Sequence, residues 1–267
     1  MVLPYQQEMM VTAAKALRAT KNAVHKLINQ YIVWHTLTET DAADVQLGFP
    51  YVRHFEADGN RYEFRYVGSI TRESYHLVFR VLITRAGGKL FDVGNEIIVK
   101  FTKRYSTEAH DCLGKVNLAP RLFAVVKLPG GWFMIVMEFI AWTPLHKFVK
   151  AYTLTDRLLT SDREYAQFLD PEIRSAVISN IKKALEALHD NFFVHGDFRP
   201  NNLLVNPKGD VRVVDFEYSG RFKGTDPVRY PPFLNKLGEI TWAPDVQCGG
   251  LISPEHDHFL FNQIFPN

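Results

Sequence analysis

The hydrophobic pattern of the first forty residues is helical. Apolar side chains recur along one face, at Met10, Ala14, Leu17, Val24, Leu27, Ile28, Tyr31 and Trp34. The helix is basic through Lys15, Arg18, Lys21 and Lys26, and Glu8 is the only acid before Trp34. A transit peptide is amphipathic and poor in acids, and a basic helix can also anchor to a partner or a membrane surface. We favour a helix that packs on the part of the chain that follows it.

Between residues 62 and 140 the pattern is typical of β-strands. Five runs are rich in Val, Ile, Tyr and Phe and are predicted to be strands: 62–70, 75–83, 97–101, 121–128 and 132–140. Glycine and proline mark turns, as at 86–88 and 129–131. A short helix is predicted to open at Ser106–Thr107–Glu108, with Ser106 or Thr107 as its cap. Residues 41–60 are predicted to be a connecting loop.

Beyond residue 140 the pattern returns to helices, at 145–151 and 170–191. The second helix has Asp170 as its predicted cap, Pro171 at its start and an apolar stripe at Ile173, Val177, Ile181, Ala184, Leu185 and Leu188. This order of elements predicts an α+β protein. We expect a helical extension over 1–40, a strand-rich lobe over 41–140 and a mostly helical lobe over 141–267.

Composition narrows the class of protein. The chain has 267 residues, of which 46% are hydrophobic and 13% aromatic, as in globular proteins. A formal net charge of +2 gives no case for a nucleic-acid partner. The cysteines are Cys112 and Cys248 alone, which suggests a reducing compartment. No apolar run is long enough for a transmembrane segment, and no secretory signal is seen, so we expect a soluble cytoplasmic protein.

Candidate chemistry is concentrated between residues 194 and 219. Asp197 is followed by Asn202 five positions later and by Asp215 thirteen further on. The apolar runs 203–205 and 211–214 flank a Pro- and Gly-containing turn and predict a β-hairpin, which would bring Asn202 close to Asp215. Three oxygen-bearing side chains at one end of a hairpin suit Mg²⁺ and a catalytic base. Lys100 lies in an apolar strand and needs a partner or a ligand there.

The segments HGDFRPNNLLV and VVDFE resemble the catalytic and metal-binding loops of the protein-kinase-like superfamily. The resemblance implies a two-lobed fold whose N-terminal lobe is a five-stranded antiparallel sheet with one short helix, and whose C-terminal lobe is mostly helical. It also implies an ATP- and Mg²⁺-dependent transfer of the γ-phosphate of ATP to a hydroxyl-bearing acceptor. His195 would support the loop by packing and hydrogen bonding.

The same resemblance assigns roles to individual residues. Asp197 would be the base and Arg199 would lie near the transferred phosphoryl group, while Asn202 and Asp215 would hold the metal. The other assigned residues would bind the nucleotide: the pair Lys100 and Glu108 at the phosphates, and the Glu138 C=O and Ile140 N–H at adenine.

Some motifs depart from the family pattern and leave the acceptor open. No G-x-G-x-x-G lies between the first two strands, where Gly68–Ser69 is the one candidate, and this favours a binding module without activity as an alternative. Gly196 and Glu217 resemble the aminoglycoside and choline phosphotransferases, in which case a Glu217 oxygen would either join the metal site or face solvent. The short stretch after Asp215, which has no A-P-E motif, also favours a small-molecule acceptor. Arg199–Pro200 favours a protein serine or threonine acceptor. Segments such as 224–231 and 242–244 are similar to compact kinase-like proteins of fungi.

Overall fold

The structure, a computed structural model, describes residues 4–35, 50, 52–70, 77–147, 170–234 and 241–265. The chain divides into two compact units, Met1–Val52 and Arg53–Asn267. The first unit contains helix α1 (Pro4–His35), and the side chains of residues 9–26 in it are exposed. The predicted helix is therefore confirmed, whereas its packing on the following part of the chain stays a prediction. The predicted boundaries at residues 40 and 140 also stay predictions.

The second unit is α+β. Its described strands are β1 (His54–Ala57), β2 (Asn60–Ser69), β3 (Val78–Ala86), β4 (Glu96–Thr102), β5 (Leu122–Leu128), β6 (Trp132–Glu138), β7 (Thr143–Pro144), β8 (Phe193–Val194), β9 (Leu203–Val205), β10 (Val211–Val213) and β11 (Gly220–Arg221). Its described helices are α2 (Thr107–Lys115), α3 (Pro171–Asp190) and α4 (Pro254–Ile264), with 3₁₀ turns at Pro129–Gly131 and Pro200–Asn202. None of the helices in the described ranges combines the length and the apolar content needed to cross a bilayer.

Within the described residues, the first six strands form one antiparallel sheet in the order β1-β2-β3-β4-β6-β5. The five predicted strands are all present. The prediction of a loop over residues 41–60 was wrong at its end, because β1 pairs there with β2. Strand β1 has only two inward-facing side chains, Phe55 and Ala57, so its alternation is too short to stand out from a turn.

The core of this sheet explains why the strands form where they do. In β2 and β3 buried and partly exposed positions alternate, as expected for strands with one face on the core. Strand β4 is buried at every position after Glu96, which accounts for its nearly continuous apolar sequence. Lys100 is the basic residue in that strand, directly between Val78 of β3 and Ile135 of β6.

The C-terminal part is built around α3. The helix is capped by Asp170, whose side chain accepts a hydrogen bond from Glu172 N–H at 2.8 Å, and Pro171 is its first residue. Its buried stripe packs against the β9–β10 hairpin and α4 in one hydrophobic cluster. Residues 145–147 are helical, and the rest of the predicted helix at 145–151 lies outside the described residues.

The predicted hairpin is present and is anchored to α3 at its turn. Strands β9 and β10 pair antiparallel, and β7 adds a third strand on the β9 side. Gly209 in the turn has φ +82°, and a Cβ there would lie 2.7 Å from the Cβ of Ala176. Asn180 also donates from Nδ2 to the Gly209 carbonyl at 2.9 Å. The hairpin is therefore fixed against the helix at its turn, and its open end carries Asn202 and Asp215.

Candidate functional site

The hairpin places Asn202 beside the residue before Asp215. Asn202 ends the 3₁₀ turn that leads into β9, and Val214 follows β10. Val214 N–H donates to the Asn202 carbonyl at 2.9 Å, which extends the pairing by one residue beyond the two strands. Asp215 comes next, with φ 70°, a left-handed conformation that aspartate tolerates better than most residues but that still stores strain.

Asp197 and Asn202 are joined by hydrogen bonds. Asn202 Nδ2 donates to the Asp197 carbonyl at 2.9 Å and to Asp197 Oδ2 at 3.0 Å. Both side chains are buried, with relative exposures of 7%. The Asn202 amide nitrogen is thus committed to Asp197, so the amide oxygen is the atom that can reach a cation.

Arg199 neutralises Asp197. Its Nε donates to Asp197 Oδ1 and its Nη2 donates to Oδ2 at 2.6 Å, a two-point contact between a guanidinium and a carboxylate. Burial lowers the pKa of Arg199, but the hydrogen bond and the charge of Asp197 outweigh burial and raise it. The Asp197 side chain is therefore held in a fixed orientation.

Lys100 reaches across from the sheet to the same site. Its Nζ lies 2.7 Å from Asp215 Oδ1 and 2.7 Å from Glu217 Oε1. Burial of the ammonium lowers the pKa of Lys100, but the two carboxylates together outweigh burial and raise it. A buried lysine is stable only when its charge is matched, and here two anions match it.

The predicted ion pair between Lys100 and Glu108 is not formed. Glu108 lies in the first turn of α2, its side chain is 67% exposed, and it lies 3.4 Å from Nε of Arg221. The buried residues of α2 are Ala109, His110 and Leu113, so Glu108 lies outside the buried face of the helix. The sequence pattern missed Glu217 as a partner of Lys100, because spacing along the chain does not show which of several acids a buried lysine will reach.

The two predicted adenine-binding positions follow β6 closely. Glu138 is the last residue of β6, its N–H donates to the Arg121 carbonyl at 2.9 Å, and its Oε2 accepts from Arg121 N–H at 3.0 Å. Ile140 lies two residues further along and is partly buried. Glu138 therefore forms the last hydrogen bonds between the β5 and β6 ends of the sheet, both with Arg121. The contact of Glu138 and Ile140 with adenine stays a prediction.

The carboxylate of Asp257 anchors the loop that contains His195 and Gly196. Asp257 of α4 is fully buried and accepts from His195 N–H at 2.8 Å, from Gly196 N–H at 2.8 Å and from Nε2 of His189 at 3.1 Å. Sequence reasoning missed it. The available signal was an acid at the start of an apolar stripe formed by Leu260, Phe261 and Ile264, because an acid on the buried face of a helix needs donors.

His195 has the supporting role that was predicted. Its Nδ1 accepts from Asp197 N–H at 3.3 Å, so its Nε2 carries the proton and donates to the Val214 carbonyl at 3.1 Å. The ring also packs against Phe198 and Phe216. Both ring nitrogens therefore form hydrogen bonds inside the protein. His195 connects the loop after β8 to the end of β10.

Gly196 is required by local geometry. Its φ is +78°, and a Cβ at this position would lie 2.8 Å from the Tyr218 carbonyl oxygen. Any larger residue would therefore push the Asp197 loop away from the Asp215 loop.

Phe216 links the loop that follows Asp215 to α2. The ring of His110 stacks on Phe216 at 4.6 Å between centroids, and Ser106 N–H donates to the Phe216 carbonyl at 3.0 Å. His110 Nε2 donates to the Pro120 carbonyl at 2.7 Å, and Nδ1 accepts from Tyr105 O–H at 2.7 Å. Burial lowers the pKa of His110 below its ordinary value.

The donor set fits a hard divalent cation. Asn202 contributes an amide oxygen and Asp215 a carboxylate, and carboxylate and carbonyl oxygens are the ligands that Mg²⁺ prefers. Among the residues that the structure describes, no group of three or more His, Cys, Asp and Glu could hold a metal, so a transition-metal cluster has no support there. A site with so few protein ligands fits Mg²⁺ that is also held by phosphates.

Part of this chain is similar to known proteins. A family model described as "Protein kinase domain" matches residues 121–244, which include Asp197, Asn202 and Asp215 but not Lys100 or Glu108. The chain is 24% identical over 157 residues to the probable serine/threonine-protein kinase pkgA of Dictyostelium discoideum, covering 59% of this chain and 11% of that protein. It is 31% identical over 103 residues to cyclin-dependent kinase D-1 of Arabidopsis thaliana, covering 35% of this chain and 26% of that protein.

Each match spans a small part of the relative. The shared region is about a tenth of pkgA and about a quarter of cyclin-dependent kinase D-1. Among solved structures, the chain is similar to the kinase PK-1 of the Cydia pomonella granulovirus, with a TM-score of 0.42 and 19% identity, over 65% of this chain and 55% of that one. A TM-score this low adds nothing to the description of the fold, which rests on the strands and helices given above.

Proposed function

Because this chain belongs to the protein-kinase-like superfamily, we propose that it is an ATP- and Mg²⁺-dependent phosphotransferase. It transfers the γ-phosphoryl group of ATP to a hydroxyl group, and the acceptor is a protein serine or threonine. The observation that carries the proposal is that three separate parts of the chain meet here. Asn202 donates to Asp197, Lys100 donates to Asp215, and the backbone bond from Val214 N–H to the Asn202 carbonyl joins these two pairs into one network.

Each side chain in the network has a task in this reaction. ATP with Mg²⁺, when bound, supplies the phosphoryl group and the positive charge that offsets it. Asn202 and Asp215 hold the metal, and Lys100 holds phosphate oxygens. Positioning and charge neutralisation are the main contributions that a protein makes to phosphoryl transfer, and this network is suited to both.

Asp197 receives the proton of the acceptor hydroxyl. Arg199 occupies both of its carboxylate oxygens with one N–H each, and Asn202 also donates to Oδ2. A carboxylate oxygen has further lone pairs, so it can still accept a proton from a hydroxyl group within hydrogen-bond distance. The three donors fix the orientation of the base, which is the condition for general base catalysis.

The geometry at Gly196 bears on the class of acceptor. The glycine after the histidine resembles the small-molecule phosphotransferases, but the close approach of the Tyr218 carbonyl already explains it in this chain. Arg199–Pro200 resembles the protein kinases, and the relatives named above are protein kinases by name. These points support a protein acceptor.

The test compares the wild type with Asp197→Asn. We expect ATP to raise the melting temperature of both proteins only when Mg²⁺ is present, because Asn keeps the shape of the side chain and the metal ligands remain. Transfer of ³²P from ATP to a serine and threonine peptide library should fall about 100-fold or more in Asp197→Asn, because the base is lost.

The possible results separate the candidate functions. A wild type that binds no nucleotide at millimolar ATP would overturn the proposal. Transfer to aminoglycosides or choline, with none to peptides, would assign a small-molecule kinase. Mg²⁺-dependent binding without transfer to either panel, and with no hydrolysis of ATP, would favour a binding module that kept the fold.

A further inference from the structure

Glu217 lies at the site but has no task in the proposed reaction. It lies two residues after Asp215, its Oε1 is 2.7 Å from Lys100 Nζ, and its side chain is 33% exposed. The Lys100 side chain is only 6% exposed, so the contact lies at the edge of the buried network. Glu108 of α2, the residue predicted to pair with Lys100, lies beside Arg221 instead.

The charges around Lys100 are unequal. One ammonium group faces two carboxylates, Asp215 and Glu217, each at 2.7 Å. A buried ammonium needs a matching anion, and one carboxylate would be enough. Arg104 also interacts electrostatically with Glu217, and Arg199 with Asp215, but in direct contact Lys100 has one carboxylate more than it needs.

Metal binding changes which partner Lys100 can keep. If Asp215 directs its carboxylate to Mg²⁺, its attraction for Lys100 weakens, since a bound cation is the largest local charge in such a site. The carboxylate of Glu217 is then the remaining protein anion at hydrogen-bond distance from Lys100 Nζ within the described residues. Without it the ammonium would be free to turn away from the phosphates.

We infer that Glu217 is the positioning residue that holds Lys100 toward the nucleotide, in the role that sequence reasoning gave to Glu108. This inference rests on the proposed function, because it concerns how the chain binds MgATP. Glu217 acts through Lys100 and does not itself contact the acceptor. The glutamate after Asp215–Phe216 therefore compensates for a helix glutamate that points into solvent.

The first experiment measures MgATP affinity by titration calorimetry in the full chain. Glu217→Gln should weaken binding about tenfold, which is the effect expected when a charged hydrogen bond of about 1.5 kcal/mol is lost. Glu217→Asp keeps the charge and should lose less. Glu96→Gln removes an exposed carboxylate from the same strand as Lys100 and is the matched control, with an expected change of less than twofold.

The second experiment tests whether Glu217 acts through Lys100. In a double-mutant cycle with Lys100→Met, Glu217→Gln should weaken nucleotide binding no further, because its partner is already absent. The same cycle is measured by urea unfolding without nucleotide, where the two substitutions should also be non-additive. In turnover assays Glu217→Gln should raise KM for ATP more than it lowers kcat.

Several outcomes would overturn the inference while leaving the proposed function intact. These are an unchanged affinity in Glu217→Gln, a larger loss in Glu108→Gln than in Glu217→Gln, or additive losses in the cycle with Lys100→Met. A raised Mg²⁺ requirement together with such additivity would make Glu217 a metal ligand instead. Failure of the wild type to bind MgATP would overturn the proposed function itself, and the role of Glu217 with it.

Discussion

At the scale of single residues, the site depends on charged groups whose partners lie inside the protein. Arg199 balances Asp197, and Lys100 balances part of the charge of Asp215 and Glu217. Asp257 is held by peptide N–H groups of the loop and by His189. The position of the loop at His195 and Gly196 therefore depends strongly on one buried carboxylate in α4.

Replacement of Asp257 should destabilise the protein. In Asp257→Ala the N–H groups of His195 and Gly196 and the Nε2 of His189 lose their acceptor while they remain buried, so we expect a loss of about 3 kcal/mol or more. Urea unfolding at pH 7 measures the difference. Asp226→Ala, at an exposed position, is the control and should change stability by less than about 0.5 kcal/mol. Equal effects in the two variants would show that Asp257 does not anchor the loop.

At the scale of elements, α2 and the loop that follows Asp215 form one packed contact. His110 stacks on Phe216, and its ring is fixed at both nitrogens by Tyr105 and Pro120. The neutral ring matches this arrangement, since Nδ1 accepts a hydrogen bond and only Nε2 donates. Protonation of Nδ1 would turn it from an acceptor into a donor, so Tyr105 O–H could no longer donate to it, and it would place a charge in an apolar contact.

Protonation of His110 should therefore lower the free energy of unfolding in mild acid. Burial is the main cause that lowers its pKa in the folded state, whereas the Pro120 carbonyl and Asp111 act in the opposite direction. Because the unfolded chain binds the proton more readily, the contribution is complete above the unfolded pKa of about 6.5. It declines as the pH falls from there to the lower folded pKa, by at most about 1.4 kcal/mol per pH unit.

The measurement is the free energy of unfolding between pH 8 and pH 5 for the wild type and for His110→Gln. Glutamine does not titrate, so the variant should lose less stability between these pH values than the wild type does. Parallel curves for the two proteins would exclude His110 as the source of the pH dependence. The other histidines are present in both proteins and cancel in the comparison.

At the scale of the whole molecule, the chain has one compact unit with its own core and one helical unit. The hydrophobic clusters around α3, around Tyr230 and on the sheet all consist of residues from the unit Arg53–Asn267. The site residues lie in the same unit. Folding of the site therefore depends on packing inside residues 53–267.

The fragment that begins at Arg53 should fold without the residues before it. We expect a cooperative urea transition and far-ultraviolet circular dichroism typical of an α+β protein, because the fragment retains every described cluster of its core. A cysteine-free variant of the fragment, with Cys112 and Cys248 replaced by serine, controls for oxidation of the free thiols. A gradual, non-cooperative transition in both fragments would contradict the prediction.

The sequence alone predicted helices α1, α2 and α3, five strands of the sheet and the β9–β10 hairpin beside Asn202 and Asp215, whereas β7, β8, β11 and α4 were not predicted. The alternation in β2 and β3, the stripe of α3, the cap at Asp170 and the hairpin turn are local signals, because each depends on residues a few positions apart. The offsets from Asp197 to Asn202 and Asp215 belong to the same class, since a hairpin joins them. Strand β1 was missed because four residues carry too short a pattern.

Only the tertiary structure decided which charges meet. Lys100 and Glu217 are far apart in the sequence, and Asp257 follows His195 by sixty-two positions. No local pattern predicts such pairs, because a buried ammonium or carboxylate takes whichever partner the packing of distant elements brings within hydrogen-bond distance. For that reason the sequence analysis paired Lys100 with Glu108, whereas in the structure its Nζ contacts Asp215 and Glu217.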